Sequence, residues 1–132
     1  MITTMSSSRP YLLRSLNEWI LDNDMTPHIV VDASQKDVIV PTEFVSSGKI
    51  VLNVSPNAVH GLAIDNDFMC FSARFSGKAM DIIVPINAIL AIYAKENGQG
   101  MVFADEFSSA EHQSGIAQKE KINERPSLKL VQ

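Results

Sequence analysis

The chain has little of what small proteins use for chemistry or for covalent bracing. Of 132 residues only one is cysteine, Cys70, so there is no disulfide framework. No Gly-rich phosphate loop opens a helix. Asn97-Gly98-Gln99-Gly100 follows an expected helix instead of preceding one, which puts any phosphate-binding helix N-terminus on the wrong side. The three histidines, His28, His60 and His112, fit no metal-ligand spacing such as HExxH, and none pairs with a cysteine. Asp65-Asn66-Asp67 lacks the rest of a calcium loop and reads as a turn. No Lys/Arg-rich run appears and the formal net charge is −4, which argues against nucleic acid or anionic membrane as a partner. No apolar run approaches the ~18 residues that span a bilayer. The segment MITTMSSSRP has no basic stretch before an apolar one, so no secretory signal is expected. A cytoplasmic protein without metal or cofactor is the reading that remains.

What is present suits one folded domain. Hydrophobic residues make up 45% and charged residues 20%, the balance of an ordinary globular chain. Pro10 suits a first helical position, and Leu12, Leu16, Trp19 and Ile20 then share one helical face. Thr26-Pro27 ends that helix. The pattern changes to strands. His28 to Asp32 is short and β-branched, and Val38-Ile39-Val40-Pro41 is a strand kept to an edge or broken by Pro41, which cannot donate to a ladder. Ile50 to Val54 reads as a buried strand. From Phe68 to Phe75 the residues alternate, with Met69, Phe71, Ala73 and Phe75 on one face and Phe68, Cys70, Ser72 and Arg74 on the other. Ser76-Gly77-Lys78 turns the chain back into Asp81-Ile82-Ile83-Val84. Pro85 then opens an expected second helix on the spacing of Ile86, Ile89, Leu90 and Tyr93, with Asn97-Gly98 as its C-cap. Met101-Val102-Phe103 is a last short apolar segment.

The expected fold is therefore mainly β: a small antiparallel sheet or open barrel with a leading helix, a second short helix and a disordered tail. Residues 1–106 form the domain and residues 107–124 read as a flexible linker. Residues 125–132 end in an apolar-basic cluster that a disordered tail has no packing reason to keep, so it looks like a docking peptide.

Several segments follow one another in a familiar order. They are Arg9-Pro-Tyr-Leu-Leu-Arg14, Glu18-Trp19, Leu21-Asp-Asn23, Thr26-Pro-His28, Val30-Val-Asp32, Ile50-Val-Leu-Asn53 after Gly48, Ala73-Arg-Phe75 and the run from Leu90 to Gly98. Together with the tail they resemble the stringent starvation protein B (SspB) family, adaptors of the ClpXP protease. The resemblance implies a homodimer paired through the N-terminal helix, with Leu12, Leu16 and Trp19 at the interface. It implies an Sm-like open β-barrel whose groove holds the ssrA tag of stalled nascent proteins, a stretch of an anti-sigma factor being a second family cargo. Carried over position by position, Phe44, Phe71, Ala73, Arg74, Phe75, Met101, Val102 and Phe103 would line that groove. Phe44 stands where the family commonly has tyrosine. Arg125, Pro126, Leu128, Lys129, Leu130 and Val131 match the peptide that docks on the ClpX N-terminal domain. No catalytic residue and no cofactor is implied. The linker is shorter and less acidic than is usual in the family, and about 18 flexible residues have an r.m.s. span of roughly 21–25 Å. The competing expectation is an Sm-like or OB-like RNA-binding module, against which the acidic balance speaks.

Overall fold

The computed structural model describes residues 5–103. The linker and the docking residues from Arg125 to Val131 lie outside the described residues. Residues 5–101 form one unit, and Val102 and Phe103 fall outside it. The described chain is mainly β, with one α-helix, α1 (Arg9–Asp22), and seven strands. The strands are β1 (Pro27–Asp32), β2 (Lys49–Asn53), β3 (Val59–Ile64), β4 (Phe68–Phe75), β5 (Lys78–Pro85), β6 (Ile89–Ala94) and β7 (Gly100–Val102). They form two antiparallel sheets that do not close. One has the order β2-β1-β6-β7, here called sheet A, and the other β3-β4-β5, sheet B.

Helix α1 begins with Pro10 in its first turn, where a missing N–H costs nothing. It ends with Asn23 and Met25 both donating backbone N–H groups to the Ile20 carbonyl, while Asp24 takes a left-handed φ of 59°. The face it buries is Arg9, Pro10, Leu13 and Ile20. Leu12 and Leu16 are half-buried on the flank, and Trp19 keeps 45% of its surface exposed. The expected helical face is therefore rotated: Leu13, not Leu12, is the inward residue.

Two arginines tie α1 down. Arg9 is buried, and its Nη1 donates to the carbonyls of Asn87 and Ile89 at 3.2 and 3.3 Å. Arg14 lies over the Tyr11 ring and donates to the Ile64 carbonyl at 2.9 Å and to Asn66 Oδ1 at 3.1 Å. The first holds the helix to the entry of β6, the second to the turn between β3 and β4.

In sheet A the inward residues are Ile29 and Val31 of β1, Ile50 and Leu52 of β2, and Ile89 and Ile92 of β6, all nearly or fully buried. The second helix expected after Pro85 is reduced to one 3-10 turn, Ile86–Ala88, and the residues that follow form β6. The cause is a bulge. Val30 pairs with Ala91 but Val31 pairs with Ile89, so Leu90 is an extra residue. Inward positions then fall at Ile86, Ile89 and Ile92, an interval of three that imitates a helix. Asn97-Gly98 accordingly closes a strand hairpin, with the Gly98 N–H on the Ala94 carbonyl and the Ala94 N–H on the Gln99 carbonyl. Gly100 is obligatory there, because a Cβ would fall 2.0 Å from the Ile92 carbonyl oxygen.

Sheet B is a meander. β3, which the sequence reading leaves unassigned, carries a bulge between His60 and Ala63 with Gly61 at φ 67°. β4 and β5 are joined through Ser76 and Gly77, both at positive φ, the geometry of a tight two-residue hairpin. Val38-Ile39-Val40-Pro41 does not make a strand. It contributes a single antiparallel bridge, Ile39 to Ile83, on the outer edge of β5.

Candidate functional site

Strand β4 shows the expected alternation. Met69, Phe71 and Ala73 are buried, Phe68 and Arg74 exposed, and Phe75 half-buried. Ala73 sits between Val59 of β3 and Met80 of β5 in register. Its methyl group is the smallest side chain on the inward row of β4, and it keeps 9% exposure. Phe71, opposite Ile82, is part of the core.

Phe44 approaches from elsewhere in the chain. It ends the 3-10 turn Thr42–Phe44 in the connection between β1 and β2, and 46% of it is exposed. Its ring centroid lies 5.8 Å from that of Phe75, tilted by 43°. An exposed aromatic residue held by a second one, two positions from a small residue, makes an apolar rim. Such a rim can grip a side chain but has no means of making or breaking a bond. Arg74 points to the opposite face, where its Nη1 donates to the Gly77 carbonyl at 3.2 Å.

Met101, Val102 and Phe103 fall on another element. Met101 and Val102 belong to β7, the last strand of sheet A, and are exposed; Phe103 follows it and is buried. The site residues read from the sequence are thus divided. Phe44, Ala73 and Phe75 meet at one end of sheet B, Phe71 lies in the core behind them and Arg74 on the opposite face, and the remaining three lie on the edge strand of sheet A and just after it. Sequence reasoning missed Val59 and Met80, the neighbours of Ala73. Only the register could have found them.

The face assigned to pairing lies on α1. Trp19 also lines a shallow cleft of about 70 Å³ with Ile20, Asn23, Met25 and Ala94. On the same helix Asn17 Oδ1 is buried without a hydrogen-bond partner among the described residues.

Titratable groups with displaced pKa values lie away from the aromatic rim, and each displacement has a structural cause. Hydrogen bonds from the Thr26 hydroxyl and N–H hold Glu96 below the ordinary glutamate value. The Ser34 hydroxyl lowers Asp32, and the Phe68 and Asp67 N–H groups lower Asp65. Burial, followed by Lys95, lowers His28, while Glu96 opposes the shift. These are turn and strand-end contacts, not a convergent acid-base set. No group of three or more metal-ligating side chains occurs among the described residues. Among them, too, no helix is long and apolar enough to cross a membrane.

The sequence model of one family, described as stringent starvation protein B, matches residues 7–129. A "Stringent starvation protein B homolog" of Haemophilus influenzae is 50% identical over 101 residues, which covers 76% of this chain and 67% of that protein.

Proposed function

The chain belongs to the stringent starvation protein B family, and on that footing we propose that it is a non-enzymatic adaptor that holds ssrA-tagged proteins and delivers them to ClpXP. The observation that supports tag binding is the rim formed by Phe44 and Phe75 beside Ala73. It offers apolar surface and space at the end of a sheet. Pairing of two copies through α1 is supported by the half-buried Leu12 and Leu16, the exposed Trp19 and the unpartnered Asn17 oxygen.

Delivery would follow from effective concentration. The groove holds the tag modestly, and residues 125–132 dock modestly on the ClpX N-terminal domain. Joined by the linker, the two contacts make capture by the unfoldase nearly intramolecular, raising avidity by about 10²–10⁴ without new contacts. Two tails per dimer add to this, and weak single contacts let cargo leave when ClpX pulls.

Fluorescence anisotropy with a labelled ssrA-tag peptide tests the reading. Saturable binding is expected with the full chain, and its loss in Ala73→Gln, where the longer polar side chain fills the space beside Phe75. Removal of residues 125–132 is expected to leave tag binding intact and to abolish degradation of tagged substrate by ClpXP. Equal loss of both activities in the truncation would sink the division of labour.

A further inference from the structure

The outer edge of β5 is paired at one residue and then left open. Ile39 donates its N–H to the Ile83 carbonyl at 2.8 Å, and Ile83 donates back to Ile39 at 3.2 Å. In an antiparallel ladder such a mutual pair repeats every second residue. The next pair would join Pro41 to Asp81. Pro41 remains extended, at φ −70° and ψ 109°, but it has no N–H to give. The ladder stops there, and the chain turns into Thr42–Phe44.

The same period fixes which groups stay open. Ile83 sends its N–H and C=O away from β4, so Asp81 and Ala79 do likewise, and Met80 and Ile82 face β4 with theirs. No hydrogen bond to the outer side of Ala79 or Asp81 occurs among the described residues. Both residues are exposed.

The segment from Ile39 to Phe44 therefore flanks β5 without pairing to it beyond the first bridge. It begins at Ile83 and ends with Phe44 on Phe75, whose register partner is Lys78. One wall of this lane is open backbone. At its far end the other wall carries the exposed Phe44 ring on Phe75, while exposed Ile39, paired with Ile83, lies on the outer face.

We propose that the Ala79–Asp81 edge of β5 pairs, as one strand to another, with an extended segment of the cargo peptide, and that Pro41 keeps this edge vacant for it. The inference rests on the reading of the protein as a tag-binding adaptor and says how that site recognises its cargo. Backbone pairing supplies affinity, and alternate side chains supply selectivity. A peptide residue opposite Met80 turns inward, toward Ala73 and the Phe44–Phe75 rim, and must be small or apolar. Residues opposite Ala79 and Asp81 turn to the outer face. Beside Ala79 that face carries the exposed cation of Arg74, its register partner, so an acidic side chain is favoured there.

The test uses the full chain and ssrA-tag peptides in which single backbone amides are replaced by esters. Each replacement removes one donor and leaves the side chains alone. Two positions separated by one residue are expected to lose roughly three- to tenfold in affinity, with the position between them unchanged. NMR amide exchange at Ala79 and Asp81 should slow when the peptide is added. In Pro41→Val the restored donor lets the connection pair with Asp81. Its amide is then protected without peptide, and tag affinity falls roughly tenfold. A peptide that binds with a flat ester scan and unchanged exchange at both residues overturns the inference alone. A peptide that does not bind overturns the adaptor reading and, with it, the occupant proposed here.

Discussion

Sheet A and sheet B use the same antiparallel pairing for different ends. In sheet A the inward rows are isoleucine, valine and leucine at or near zero exposure, and Gly100 brings β7 so close to β6 that no side chain fits between them. Sheet B keeps a small residue at Ala73, a half-open outer edge on β5 and an aromatic rim supplied by the connection between β1 and β2. The first sheet is closely filled and tolerates little. The second leaves room at one end. A small domain can thus place rigidity and vacancy in neighbouring sheets without a separate binding module.

Four substitutions would break or sharpen that contrast. The largest loss is expected for Gly100→Ala, whose Cβ would meet backbone atoms of Ile92 and Tyr93 at 2.0–2.9 Å. Backbone cannot step aside as a side chain can, so a loss of about 4 kcal/mol in urea denaturation is expected. Ile29→Ala, fully buried in the middle of β1, should cost about 3 kcal/mol by the same measurement. Phe44→Ala should behave differently. Its half-exposed ring contributes under about 1 kcal/mol to stability, but tag-peptide affinity by anisotropy should fall about tenfold. A Phe44→Ala protein as unstable as Ile29→Ala would erase the distinction between the sheets.

The smallest effect is expected at Glu96, which ties the end of β6 to Thr26. Its pKa is lowered in the folded protein, so its contribution is present above the ordinary glutamate value and fades as pH falls through the lowered one. The stability gap between wild type and Glu96→Gln, followed by thermal melting, should therefore close on acidification. A gap that persists well below that window would assign the effect to something other than the carboxylate charge.

Much of this arrangement was legible in the sequence where local chemistry and periodicity agree. Pro10 marks the start of α1, the alternation from Phe68 to Phe75 gives β4, and Ser76-Gly77 gives its hairpin. Legibility failed where a bulge broke the period. The extra residue at Leu90 breaks the strand alternation, so the apolar spacing of Ile86, Ile89, Leu90 and Tyr93 mimics a helix. Gly61 and the bulge in β3 removed the alternation that would have announced that strand. On α1, Leu12 and Leu13 are equally apolar, and only the packing partner decides which one turns inward. At the candidate site the sequence pointed to Phe44, Ala73 and Phe75 through resemblance. That Phe44 meets Phe75 is a tertiary fact, since a turn and a distant strand share no local pattern.

The strand order of sheet A also sets a timetable for synthesis. β1 is made early, yet its central place depends on β6, whose Ala94 pairs with Pro27. While the chain is still emerging, β1 can pair with β2, and the β3–β5 meander can form behind it. The other side of Ile29 and Val31 stays uncovered until the ribosome has released residues 89–94. A chain halted before that point is left with β1 half-clothed, and is itself a candidate for the clearance pathway it is proposed to serve.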